Sequence, residues 1–236
     1  MNLPEYILLF IMAFLPPIIY AIWIRNTEKY QREKWKPIIL CFIWGATIAV
    51  IAAIILEYIL HFSFVPSIDD RNISALITVI IIAPFAEELT KPLALRLKTV
   101  KKELDELEDG LIYGAIAGLG FSATENLLYG WNFMAQGILF FFILISIRSF
   151  GGCLLHASAT AWTGYGYGKA IMKHTSLMRV LPYFLLAILV HAFYNSLLSF
   201  DILGVVIGLF AALAFTAITI QIIRHYIRLL DKNHIN

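Results

Sequence analysis

Long apolar runs separated by short charged segments dominate this chain. The runs fall at roughly residues 4–24, 37–60, 73–95, 110–131, 137–168, 180–200 and 202–225. Each is close to the about 20 residues that an α-helix needs to cross a bilayer's hydrocarbon core. Helices satisfy their own backbone polar groups inside lipid, so the pattern predicts an all-α polytopic membrane protein, a bundle of about seven transmembrane helices in one domain over residues 1–236. The first run ends at Trp23 without a small-residue cleavage site and reads as a retained helix rather than a removed signal peptide.

Composition agrees. The 236 residues are 60% hydrophobic and 14% charged, and the mean hydropathy of +0.80 excludes a soluble globular domain. The segments 25–36, 91–102, 169–179 and 224–232 hold 16 of the 18 Lys and Arg. Basic loops stay cytoplasmic, so the expected orientation of this multi-pass protein is N-terminus out and C-terminus in. Arg71 is expected in a short outside loop with Asp69 and Asp70, and Arg148 lies within the fifth run. The net charge of +2 comes from these flanks and points to contact with anionic lipid rather than to nucleic acid. Cys41 and Cys153 both fall inside spans and predict neither a disulfide nor a metal-site pattern. The mixed-charge loop 25–36 reads as a solvated connection anchored by Trp35.

Ionisable groups inside the runs mark the candidate chemistry, because a charge near the bilayer centre costs about 2.5 kcal/mol or more. Glu87 and Glu88 end the run from Ile73, with Lys91 three and four residues on, placed to neutralise part of the pair. Pro84 and Pro92 bracket them and are expected to free the carbonyls of Ile80 and Glu88, which implies a polar cavity beside Glu88. On the fourth run Gly110, Gly114 and Gly118 form a small-residue ladder for close helix packing, and the same face continues through Phe121 or Ser122 to Glu125 and Tyr129. Ala117 is expected to face lipid. Arg148, Gly152, His156 and Thr160 make one stripe on the fifth run, and His191, Asn195 and Ser199 another on the sixth. The segment from Gly164 to Gly168 reads as packing or hinge. Glu57 and His61, one turn apart near the outer end of the second run, read as an interfacial pair.

These residues also carry a resemblance. Glu87-Glu88-Leu-Thr-Lys91, Phe121-Ser-Ala-Thr-Glu125-Asn126 and His191-Ala-Phe-Tyr-Asn195 resemble, in order and spacing, the EExxK, FxxxEN and HxxxN motifs of the PrsW family of intramembrane proteases. Arg148 followed by His156 resembles the helix that precedes the last motif, and the likeness covers roughly residues 73–200, the expected catalytic core. The family is distantly similar to CAAX prenyl endopeptidases and bacteriocin-processing enzymes, whose motifs pair a Glu with a His where this chain has Glu125. The resemblance implies a metalloprotease acting on a membrane-bound protein, of which an anti-sigma factor is one example.

Carboxylates with two histidines are the parts of a hydrolase that activates water. The reading is therefore an intramembrane endopeptidase with Glu88 or Glu87 as base, His156 and His191 as metal ligands or electrostatic stabilisers, Asn195 as an oxyanion donor and Glu125 as a ligand or second carboxylate. Lys91, Asn126 and Arg148 support them, with Arg148 holding Glu125 or a neighbouring carboxylate. Three Glu against Lys91 and Arg148 leave one negative charge, which a cation, a protonated Glu or a protonated histidine must balance. Zinc suits Glu88, Glu125, His156 and His191, and a metal-free Glu base is the alternative. Intramembrane Glu and His chains also mark proton- or ion-coupled transporters, although no paired broken helices in two halves are evident, and a non-catalytic scaffold of the same fold would use these residues for stability alone.

Overall fold

In the computed structural model, residues 2–66, 68, 70–200 and 204–232 are described. They form helices and connecting turns, with no strand among the described residues. The long helices are α1 (Leu3–Arg25), α2 (Trp35–Phe64), α3 (Arg71–Arg96), α4 (Leu107–Ala135), α5 (Ile138–Met172), α6 (Leu177–Ser199) and α7 (Val205–Lys232). Each matches one predicted run to within a few residues at most ends. The expected start of the last helix at Ile202, and Asp69 of the short loop, lie outside the described residues.

Six of these helices are long and apolar enough to cross a membrane, and α4 is the exception. Its sequence explains why. From Glu108 to Ala123 every residue of α4 is buried in protein, so small residues serve there better than the large aliphatic side chains that face lipid. A Cβ added at Gly110 would lie 2.6 Å from the carbonyl oxygen of Gly164, and one at Gly114 would lie 2.6 Å from that of Thr160. One at Gly118 would run into the carbonyl of His156. The glycine ladder thus brings the α4 backbone against that of α5 at successive turns. On another face Gly120 meets the backbone of Phe42, and Gly45 of α2 meets that of Ala117. Ala117 is therefore buried between helices and not turned to lipid, because α4 has neighbours on both sides. Gly164 and Gly168 abut Gly110, and Gly166 abuts Tyr183, so this glycine segment packs rather than hinges.

Two helices loosen into π-turns, at Gly45–Ala49 in α2 and Thr78–Ile82 in α3. The second has a cause in the sequence. The amide of Ala83 bonds back to Thr78, and the next position in that register, which would serve the carbonyl of Val79, is Pro84 and has no N–H. The carbonyl of Val79 thus lacks a backbone donor in that register, and the Asn195 side-chain amide of α6 donates to it at 2.8 Å. In α2 the Ala46 carbonyl of the π-turn accepts from Thr124 of α4 at 2.6 Å. Each loosened turn is tied to another helix through a backbone carbonyl. Beyond Thr90, α3 tightens into a 3-10 turn over Lys91–Arg96, and the chain reaches α4 through the single turn Lys98–Lys101.

Candidate active site

The intramembrane ionisable groups of the four middle helices meet at one place. Lys91 is fully buried, and its ammonium lies 2.7 Å from Glu87 Oε2, 2.8 Å from Glu88 Oε1 and 2.8 Å from His156 Nδ1. A lysine ammonium has three protons, and these three acceptors use them all. His156 Nδ1 must then carry a lone pair, which makes the ring the neutral Nε2–H tautomer. That proton points along the 2.7 Å contact to Glu125 Oε2. The same Glu125 oxygen lies 3.0 Å from Arg148 Nη2.

Glu88 is held from three sides. Its Oε1 takes Lys91 and His191 Nδ1, the latter at 3.0 Å, and its Oε2 accepts from Thr160 at 2.8 Å. Glu87 differs. It lies on the wall of a cavity of about 200 Å³ with Glu125, Tyr129, Arg148, His156 and His191, and Asn195 and Ser199 also line it. Glu88 instead borders a separate apolar pocket of about 250 Å³ beside Leu89, Pro92, Leu181 and Phe184. The polar cavity expected beside Glu88 is thus beside Glu87, because the two side chains leave the helix about 100° apart.

One ligand atom each from Glu87, Glu88, His156 and His191 falls within 4.8 Å of the others, and all four residues are buried. Glu125, expected in a metal set with Glu88 and the histidines, is outside this group, where Arg148 and His156 hold it, and Glu87 takes its place. Two imidazoles and carboxylates suit zinc in donor type, so the residues fit a metal, with the Lys91 ammonium already among them as a positive charge. Asn195 borders the cavity but its amide is given to Val79. Asn126 accepts from Arg148 Nε at 3.1 Å and donates to Cys153 at 3.4 Å. Arg148 also stacks on Tyr129 at 3.9 Å, and Lys91 stands 4.3 Å over Phe121. His61 bonds Thr78 at 3.0 Å and ties α2 to α3.

Thr160, Tyr129 and Phe121 complete the surroundings without standing out as candidates in their own right. Thr160 was readable only as the next member of the His156 stripe, since a single threonine in a helix carries no signal of what it bonds.

A helical multi-pass membrane protein with a buried glutamate and histidine site among its central helices defines the class. A profile described as PrsW family intramembrane metalloprotease matches residues 33–222, and the chain belongs to that family. It is 33% identical over 123 residues, 51% of this chain, to a protein named Protease PrsW from Clostridioides difficile (strain 630). The match spans about half the length of that relative (50%). No solved structure matches the chain.

Proposed function

We propose that this chain is an endopeptidase that hydrolyses a peptide bond of a membrane-associated protein in the cavity between α3, α4, α5 and α6. The observation that carries the reading is the meeting of Glu87, Glu88, His156 and His191 within an apolar bundle, with Glu87 and the two histidines on the wall of a small polar cavity. Glu87 is the general base, since its carboxylate borders the cavity while Glu88 is committed to Lys91, His191 and Thr160. Water in the cavity gives its proton to Glu87 and attacks the scissile carbonyl. The leaving amine then recovers a proton from Glu87 as the C–N bond breaks.

Glu88 orients His191 through Nδ1, which leaves Nε2 for the reacting centre. His156 is oriented at both ring nitrogens, by Glu125 at Nε2 and by Lys91 at Nδ1, with Arg148 holding the Glu125 carboxylate in place. Lys91 sets a positive charge against both Glu side chains, 2.7 and 2.8 Å from their oxygens. Glu87, Glu88, His156 and His191 are the residues that would hold a metal. Bound there, a divalent ion such as zinc would supply Lewis-acid polarisation and water activation. A metal-free route has an observation of its own in its favour, since Lys91 already contacts three of those four donors.

The orientation that suits both routes is N-terminus out and C-terminus in, in the cytoplasmic membrane of a prokaryote, with the cavity in the inner half of the bilayer. A membrane-anchored regulator of the anti-sigma-factor kind is the first substrate to try. Purified protein in proteoliposomes should cleave such a substrate, and Glu87→Gln should abolish cleavage with the fold intact. Metal analysis separates the routes: stoichiometric zinc lost in His156→Ala and His191→Ala supports the metal, and none in active wild type supports Glu87 alone. Wild-type rates in Glu87→Gln would refute the assignment of the base, and ion flux without cleavage would favour a transporter.

A further inference from the structure

A second group of carboxylates lies at the other end of α4. The loop after α1 folds back so that Glu28 becomes fully buried, next to Glu106 and Asp109 at the start of α4, which are 6% and 1% exposed. One carboxylate oxygen from each lies within 4.8 Å of the other two. Helix capping accounts for two of them, since Glu106 and Asp109 form a capping box, and Asp109 Oδ2 accepts from the amides of Asp105 and Glu106 at 2.9 and 2.7 Å. Capping does not account for Glu28, which comes from a different segment. Its Oε2 accepts from the amide of Glu33 at 2.9 Å, but its Oε1 is buried with no hydrogen-bond partner.

Two basic groups of this segment are engaged elsewhere. Arg25 donates to the Glu33 carbonyl at 2.6 Å and covers the Trp35 ring, and Lys34 pairs with Glu103 at 2.6 Å. Glu33, beside the group, accepts from Tyr113.

We infer that Glu28, Glu106 and Asp109 form a site for a hard divalent cation such as Mg²⁺ or Ca²⁺, which clamps the loop after α1 to the start of α4. Oxygen-only carboxylate donors select these ions over zinc. Asp109 and Glu125 are sixteen residues apart on α4, about 24 Å at 1.5 Å per residue, so this site is separate from the Glu87 group. The clamp secures the end of the helix whose deeper half presents Glu125.

The test uses the purified full chain in detergent, stripped with a chelator and titrated with Mg²⁺, Ca²⁺ or the luminescent probe Tb³⁺. At a hundredfold excess over the dissociation constant, Mg²⁺ or Ca²⁺ should raise the melting temperature by about 5 °C or more. Tb³⁺ emission excited through tyrosine should appear, with Tyr113 the nearby ring. Glu28→Gln should lose both responses and, in chelator, melt no lower than wild type, because it keeps the side chain's shape and removes the uncompensated charge. Glu88→Gln, in the other donor group, should keep both. The inference fails if wild type responds to none of these ions, if Glu28→Gln responds as wild type does, or if the response is lost in Glu88→Gln instead.

Discussion

At the scale of single residues the site turns on Lys91. Its three protons are matched to Glu87, Glu88 and His156, and removing one partner of a buried ion pair leaves charge without compensation, at a cost of about 3–5 kcal/mol. Lys91→Met should therefore lower the melting temperature by roughly 10 °C. Lys91→Arg should not rescue it, because a planar fork cannot reach three acceptors arranged around a point charge. An unchanged melting temperature in Lys91→Met would mean that the lysine is not the counter-ion of the pair. Part of this was legible in sequence: Lys91 lies three and four residues from the carboxylates and so must share their face. Its third partner is 65 positions away, and no local pattern names it. The unequal surroundings of Glu87 and Glu88 were also hidden, since adjacent residues on one helix diverge and only the neighbouring helices determine which one meets the cavity.

At the scale of elements, close approach and loosened turns set the geometry. The glycine ladder was legible from its four-residue spacing, and its partner is the stretch of α5 that carries His156. Gly118→Ala should push against the His156 backbone, which cannot yield as a flexible side chain would. It should destabilise the protein by about 1–3 kcal/mol and reduce cleavage, whereas Gly152→Ala, with its nearest neighbours 3.9 Å or more away, should leave the melting temperature unchanged. Equal melting temperatures for Gly118→Ala and wild type would refute the packing argument.

Asn195 yields a sharper test. Its place on the His191 stripe was readable, but its bond to Val79 depends on a π-turn that helical periodicity does not forecast. Asn195→Leu should strand the Val79 carbonyl and cost about 1–3 kcal/mol. Adding Pro84→Ala restores a backbone N–H in the register that would serve Val79, so the double variant should recover most of the loss. If Asn195→Leu instead melts like wild type while losing cleavage, Asn195 works as the oxyanion donor and its bond to Val79 is incidental.

At the scale of the whole molecule, the issue is whether α4 crosses with its neighbours despite its weaker apolarity. Its first turns meet the segment after α1, through Tyr113 and Glu33, and its far part meets the start of α1, through Tyr6 and Trp131 with rings 5.5 Å apart. It therefore runs the full length of α1 in the opposite direction. Hydropathy understates such a helix because a span enclosed by protein needs small residues instead of large apolar ones. Contacts between Asp231 and the amides of Lys29 and Tyr30, and between Arg224 and Thr27, gather two of the basic segments at one end of the bundle, and Lys34 pairs there with Glu103, the residue after a third. The sequence put them on one side by charge, and the folded chain puts them together by contact, which makes the orientation open to a direct check. Cys41 and Cys153 are buried, so single cysteines introduced at exposed positions can be labelled over a low background. Lys102→Cys, at the basic end, should react with an impermeant maleimide only when the cytoplasmic face is open, and Asn72→Cys, at the start of α3, only from outside. Labelling of both from the same side would mean that α3 does not cross, and Glu87 and Glu88 would then lie at a membrane surface, where two carboxylates and a lysine need no buried cavity to explain them.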